Sequence, residues 1–385
     1  MHPTPGTTLF FLGDEGILFC EPRQEVHRFN TTAAVIWCHL EDGLDSAGIV
    51  AALQRDSGLT AGDARRFVTE ALSDWTAKHL LGAAVPRPPP APERARPDVP
   101  PPPDTEPAAT RRYRLLGLVS EVRYTDASHA DQVDAALTHL LTDEPATLRV
   151  DLVAGSDRIR AYRDGVYEYD GKAADEVVPM VLHLIWHRAL LADTYLLDFH
   201  AGVVAGSDGC VLLPGVPGAG KSTLTAALVN AGCTYFSDEV GILGFDLMLR
   251  PFPLPLAPKI EGLRPLLSMF PSLATAPVHL RSGDAKRIVY LPPPADRVAP
   301  ATARAKAHAL IFPRYTAGAA TSVEPVSPAD ALERLLNQCR YVPRDLSEAS
   351  VRQLVRWVDS TPAVQLTYGT TAEAVAYVRS WLGES

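Results

Sequence analysis

The stretch Gly215-Val216-Pro217-Gly218-Ala219-Gly220-Lys221-Ser222-Thr223 fits G-x-x-x-x-G-K-[ST], a pattern whose chemistry is the holding of phosphate groups. Its glycines let successive backbone N–H groups turn inward as an anion nest, and a helix opening after the loop adds the positive end of its dipole. Lys221 is expected to reach the β- and γ-phosphates, and the Ser222 hydroxyl to ligate Mg²⁺. One helix and one strand further on stand Asp238 and Glu239. A carboxylate at the end of a strand beside such a loop is placed to hold a metal or to take a proton from an attacking hydroxyl. Two cations downstream, Lys259 and Arg314, are candidates to neutralise charge on a transferred phosphoryl group. Arg281, Lys286 and Arg287 read as a solvated basic face, and His200, taken alone, as a core histidine.

These residues need a strand to aim the loop and a helix to close it. Cys210-Val211-Leu212-Leu213 reads as a short buried strand, Ser222 to Val229 as the helix, and Gly232 to Ser237 as the strand delivering the acid pair. Upstream, Tyr113 to Tyr124 reads as one strand, Asp131 to Leu141 as an amphipathic helix, and 148–154, 158–163 and 165–170 as three strands. A long apolar helix over 173–192 follows, with Val177, Val178, Met180, Val181, Leu184, Ile185 and Leu190 as core. After the acid pair, Gly241 to Gly244 continues as a strand, and 288–291, 308–312 and 364–368 add three more. Helices are expected over 327–339, 347–358 and 372–381, closing this domain.

The first 83 residues form a separate unit. Leu9 to Leu12, Gly16 to Phe19 and Glu25 to Phe29 read as short strands divided by turns. A helix capped by Asn30 or Thr31 follows, then helices over 46–54 and 61–81. In the last, Phe67, Ala71, Leu72, Trp75 and Leu80 recur at helical spacing, and the pattern is winged-helix-like. Residues 84–112 carry prolines at 86, 88, 89, 90, 92, 97, 100, 101, 102, 103 and 107, which predicts an extended spacer. A formal net charge of −9 argues against general nucleic-acid binding. No apolar run is long enough to span a membrane, and the N-terminus lacks the charged and apolar regions of a secretory signal. The 5 cysteines are scattered without a C-x-x-C, which fits reduced thiols and a cytoplasmic setting.

Two family resemblances join here. The run Phe29-Asn30, Thr32-Ala33-Ala34, Ile36-Trp37 and the Asp42-Gly43 turn resemble the PqqD-like domains over nearly all of 7–82. That resemblance implies recognition of the leader of a ribosomally made precursor peptide, bound as an extended segment on a strand edge, here 9–12 or 16–19. His200-Ala201-Gly202, the loop and Ser237-Asp238-Glu239 resemble the HPr kinase/phosphorylase superfamily, in particular its HPr-kinase-related branch. Pro251 to Lys259 and Ala309 to Tyr315 resemble further pieces of that branch. This resemblance implies Asp238 as general base, Glu239 as a Mg²⁺ contact and His200 as a supporting group, with ATP and Mg²⁺ as cofactors and possible homo-oligomers.

Val240 stands where an arginine usually follows the acid pair, and no Gly-rich signature loop follows, so neither HPr as acceptor nor phosphorolysis is expected. The fold class expected is α/β: a PqqD-type module (1–83), a linker (84–112) and an HPr-kinase-like domain with a mixed sheet (113–385). Within the last, 113–194 lead and 195–385 hold the nucleotide. The function expected is phosphorylation of a Ser or Thr hydroxyl on a captured precursor peptide, in analogy with lasso-peptide tailoring kinases. The alternatives are a small-molecule kinase with the module as an assembly surface, and a non-catalytic nucleotide-dependent peptide scaffold.

Overall fold

The computed structural model describes residues 2–89, 97, 99–172, 174–281 and 286–383. The chain is mixed α/β and divides into two compact units. The first contains Met1–Pro92 together with Val326–Arg334 and Arg344–Ser360; the second contains Glu93–Pro325, Leu335–Pro343 and Thr361–Ser385. The helices expected to close the C-terminal domain therefore group in part with the N-terminal unit. Among its described residues the expected spacer contains no helix or strand before Ala109, where the first strand of the second unit opens; residues 90–96 and 98 lie outside the described set.

In the first unit β1 (Thr7–Leu12), β2 (Glu15–Cys20) and β3 (Glu25–Phe29) form an antiparallel meander in the order β1-β2-β3. Three helices follow: α1 (Thr31–Glu41), α2 (Ser46–Ser57) and α3 (Ala61–Ala77). Each starts on a side-chain cap, with Asn30, Asp45 and Thr60 accepting from the backbone N–H of Ala33, Gly48 and Asp63. The core centres on Phe29, Trp37 and Trp75, whose rings lie 4.9 to 5.7 Å apart. Because β2 is central, Gly16 to Phe19 is not an edge, and the two edges are β1 and β3.

The second unit begins with a five-stranded sheet: β4 (Ala109–Leu115), β5 (Leu118–Tyr124), β6 (Leu148–Ala154), β7 (Ile159–Arg163) and β8 (Val166–Gly171). The single strand expected over 113–124 is thus a hairpin, turning at Leu116 with φ of 54°. The helices α4 (Ala127–Leu137) and α5 (Val177–Ala192) cover this sheet, and every α5 residue expected as core is buried.

A nine-stranded mixed sheet follows. It comprises β9 (Leu197–Phe199), β10 (Ala201–Ala205), β11 (Cys210–Pro214), β12 (Thr234–Ser237), β13 (Gly241–Leu243), β14 (Met248–Arg250), β17 (Ala305–Tyr315), β18 (Ser322–Pro325) and β19 (Ala363–Tyr368). Its main path is β12-β10-β11-β17-β14-β13-β9, with β19 parallel to β17 and β18 on β19. The pair β15 (His279–Arg281) and β16 (Lys286–Ile288) stands apart as a two-stranded sheet. α6 (Lys221–Asn230) and α9 (Thr371–Trp381) pack together on the large sheet through Leu224, Leu228, Ala374 and Val378. The remaining helices are α7 (Pro328–Leu336) and α8 (Glu348–Ser360). Within the first unit, α8 lies beside β1, with the Arg352 guanidinium 5.0 Å from the Phe10 ring centre, and Arg28 of β3 pairs with Asp330 and Glu333 at 2.7 and 2.6 Å.

A half-buried histidine, His139, contributes acid sensitivity to the second unit. His139 lies 2.7 Å through Nε2 from the Pro253 carbonyl, its Nδ1 has no partner, and burial pushes its pKa down to about 4. A pKa lowered on folding means the unfolded chain binds the proton more readily. The stabilisation is therefore complete above about pH 6.5 and lost as pH falls towards 4, an effect of about 3 kcal/mol. We expect urea midpoints of the second unit to fall across that window, and His139→Gln, which cannot titrate, to flatten the fall.

Candidate active site

β11 ends at Pro214 and releases the loop that winds into α6. Gly218 and Gly220 hold φ of 91° and 93°, the left-handed region that glycine enters without strain. At Gly220 there is no room for a side chain either, since a Cβ would run into the Tyr368 hydroxyl and Tyr315. The loop is tied to β17 by the Tyr315 N–H, which donates to the Ala219 carbonyl at 3.1 Å. Lys221 is buried and folds back on the loop, donating to the Gly215 carbonyl at 2.6 Å. Burial lowers its pKa, against the opposing pull of Asp238 and Glu239.

The acid pair splits into two environments. Asp238 is 2% exposed, and its Oδ1 has no hydrogen-bond partner. Burial and the neighbouring Glu239 charge raise its pKa to about 6, while the Ser222 hydroxyl, Lys221 and Thr225 act to lower it. Glu239 faces nitrogen groups instead: His200 Nε2 at 3.3 Å and the guanidinium groups of Arg340 and Arg281 at 3.2 and 3.9 Å. Burial works against its charged form, but the hydrogen bond from His200 and the charge of Arg340 outweigh it and hold the pKa at about 2. His200 itself is held below its usual value by burial, which outweighs the Glu239 contact.

A cavity of about 1500 Å³ opens over this arrangement. Pro217, Gly218, Gly220, Lys221, Ser222 and Thr223 line it, as do His200, Glu239, Lys259 and Arg340. Gly215, Val216 and Ala219 belong to the loop's backbone but do not line the cavity, and neither does Asp238, which sits behind Ser222. Arg314 is exposed on β17 and does not line it either, so it is not brought to the site. Among the described residues no group of three or more His, Cys, Asp or Glu could by itself hold a metal. The Asp238 carboxyl, in contact with the Ser222 hydroxyl and with Oδ1 unpartnered, does fit a two-point cation site whose other ligands come from a bound phosphate.

Arg340 escaped the sequence reading because no local pattern marks it. It is set by backbone contacts: the Arg340 N–H donates to Asp198 Oδ1 at 3.3 Å, Cys339 bridges to Phe199, and the His200 N–H donates to the Gln338 carbonyl at 2.8 Å. Arg281, expected on a solvated face, is likewise drawn towards Glu239.

The first unit has its own, smaller concavity of about 450 Å³. It runs along the open edge of β3 and is walled by Val26, His27, Arg28, Ala33, Ala71, Asp74, Trp75 and Lys78.

Among the described residues no helix is long and apolar enough to cross a membrane. No protein-family model and no curated protein matches the chain. Among solved structures, the chain is similar to "TbiB1 in Complex with the TbiA(beta) Leader Peptide", at 20% identity over 21% of this chain and 93% of that one, with a TM-score of 0.20.

Proposed function

We propose that the chain is an ATP-dependent, Mg²⁺-requiring kinase that phosphorylates a Ser or Thr hydroxyl of a peptide captured by its first unit, a PqqD-like module joined to an HPr-kinase-like domain. The observation that carries the reading is that Glu239, His200 and Arg340 share one cavity with the loop residues Gly218 to Thr223. In the reaction the bond from the γ-phosphorus to the β–γ bridging oxygen breaks as a bond to the acceptor oxygen forms. The hydroxyl proton passes to a carboxylate and ADP leaves.

The geometry favours exchanging the roles first expected of the two acids. Asp238 is sealed behind Ser222 with an unpaired oxygen, which suits a metal ligand; Glu239 opens to the cavity, where an acceptor hydroxyl must come. A magnesium ion at Ser222 and Asp238 would supply charge neutralisation on the phosphates. Lys221 exchanges its bond to the Gly215 carbonyl for a phosphate oxygen, and His200 orients Glu239. Arg340 rather than Arg314 is the guanidinium within reach of the transferred group, with Lys259 a second cavity cation.

Peptide capture is assigned to β3. Strand addition needs a free edge, and β3 is a terminal strand with a groove beside it, whereas β1 lies next to α8. A tethered capture site raises the local concentration of the acceptor, so a weak acceptor site suffices.

The test is intact-mass analysis of short candidate peptides after incubation with Mg²⁺-ATP. The wild type is expected to add a phosphate, and Lys221→Ala to add none. Ala71→Arg, which fills the β3 groove from α3, is expected to slow transfer to leader-bearing peptides at least about tenfold by loss of binding. Tight binding without mass change or ATP consumption would instead mark a scaffold, and ATP consumption without peptide modification a small-molecule kinase.

A further inference from the structure

The cavity is larger than the 300–1000 Å³ typical of pockets for one small ligand, so a nucleotide at the loop leaves much of its about 1500 Å³ unfilled. The remainder is walled by aromatic and apolar side chains. Tyr169 on β8, Trp186 on α5 and Tyr290 after β16 are each half-buried against the core, and Leu280 on β15 stands beside them. Tyr169 is fixed by its hydroxyl, which donates to the Met180 carbonyl at 2.9 Å, and Tyr290 packs against His279 with ring centres 5.4 Å apart. These rings are held in place and need no ordering when a partner arrives.

The position of this wall within the cavity is given by Arg281. It follows Leu280 on β15 and reaches to 3.9 Å from Glu239, and Leu280, Arg281 and Glu239 all line the one cavity, so the strand that carries part of the wall also sends a side chain to the acid. β15 also packs against α5, which carries Trp186. A group docked on the wall therefore lies in the same cavity as Glu239, where the acceptor hydroxyl must come.

We propose that this wall is an acceptor subsite that takes a bulky aliphatic or aromatic side chain neighbouring the phosphorylated hydroxyl. The inference rests on the peptide-kinase reading above and narrows its substrate class. Its occupant is the acceptor peptide, because the wall is continuous with the phosphate site in a single cavity. Burying one such side chain there is worth roughly a 10- to 100-fold preference over glycine.

The experiment uses the full chain, Mg²⁺-ATP and synthetic peptides Gly-Gly-Xaa-Ser-Xaa-Gly-Gly with Phe, Leu, Gly or Lys at both Xaa positions. Phosphorylation is read by mass, and binding of the matching peptides with Ala in place of Ser is read by calorimetry. We expect kcat/KM for Phe and Leu to exceed Gly at least about tenfold, and Trp186→Ala to erase the difference. Leu280→Glu is expected to reverse it in favour of Lys, a gain that misfolding cannot produce. Equal phosphorylation of all the peptides would overturn the subsite and leave the kinase reading standing. If no peptide is phosphorylated, a Phe-over-Gly binding preference that Trp186→Ala removes would keep the subsite, and the kinase reading would then stand or fall on the leader-bearing peptides. Equal binding in that case would overturn the subsite.

Discussion

Glu239→Gln is expected to slow peptide phosphorylation by about 10³-fold while leaving the Kd for Mg²⁺-nucleotide within about threefold, the range for loss of a proton acceptor. The substitution keeps shape and removes one charge. It takes away the carboxylate that His200, Arg340 and Arg281 surround; the loop and Asp238 keep their side chains, though Asp238 loses the neighbouring charge that raises its pKa. Freed from that partner, Arg340 stays in the cavity and remains available to phosphate oxygens, so nucleotide binding is not expected to weaken. Asp238→Asn is expected to behave in the opposite way. Its carboxyl contacts Ser222 and carries an unpaired Oδ1, so the loss should fall on the Mg²⁺ dependence of nucleotide affinity. Calorimetry with and without Mg²⁺, run beside the transfer assay, separates the two. If Asp238→Asn binds Mg²⁺-nucleotide normally and Glu239→Gln still transfers phosphate, the acids hold the roles the family resemblance first assigned.

The proposed exchange of roles points to which part of the site a sequence can carry. The loop is local: nine consecutive residues, a strand before and a helix after, and every piece lies where its pattern put it. The acid pair is also local, because one helix and one strand separate it from the loop. What each acid faces is not local. Glu239 acquires its character from Arg340, and Arg340 is brought there by backbone bonds to Asp198, Phe199 and His200. No spacing rule links such distant positions. The missed hairpin has a different cause. Leu115-Leu116-Gly117-Leu118 is continuously apolar, and its turn places Leu116 rather than the glycine at positive φ, so the usual punctuation of a turn is absent. Strand order was equally hidden, since three short strands of similar composition do not say which one lies in the middle. The face of α3 was legible in part: Trp75 is buried and Phe67, Ala71 and Leu72 pack against the core at the helical period, but the buried Ala64 and Val68 were not singled out, and the helix ends at Ala77, before Leu80.

Trp37→Ala is expected to cost the first unit about 3–5 kcal/mol, most of the stability such a small unit possesses. Trp37 is fully buried, 5.1 Å from the Trp75 ring and 5.7 Å from Phe29, so it joins α1 to both α3 and β3. Its removal leaves a cavity at the one point where the sheet and two helices meet. The indole N–H donates to Glu41 at 2.8 Å, but Glu41 is exposed and water can replace that bond, so the loss is one of packing. Trp37→Phe, which retains a ring for Phe29 and Trp75 to pack on, should cost less than half as much. Urea titration followed by near-UV circular dichroism would measure both. Because β3 carries Phe29 at its end and the capture groove along its edge, peptide affinity should fall in the same order as stability, while Mg²⁺-nucleotide binding at the loop stays unchanged. A shift below about 1 kcal/mol for Trp37→Ala would mean that α2 and the remaining aliphatic core hold the unit, and that the aromatic trio serves the groove instead.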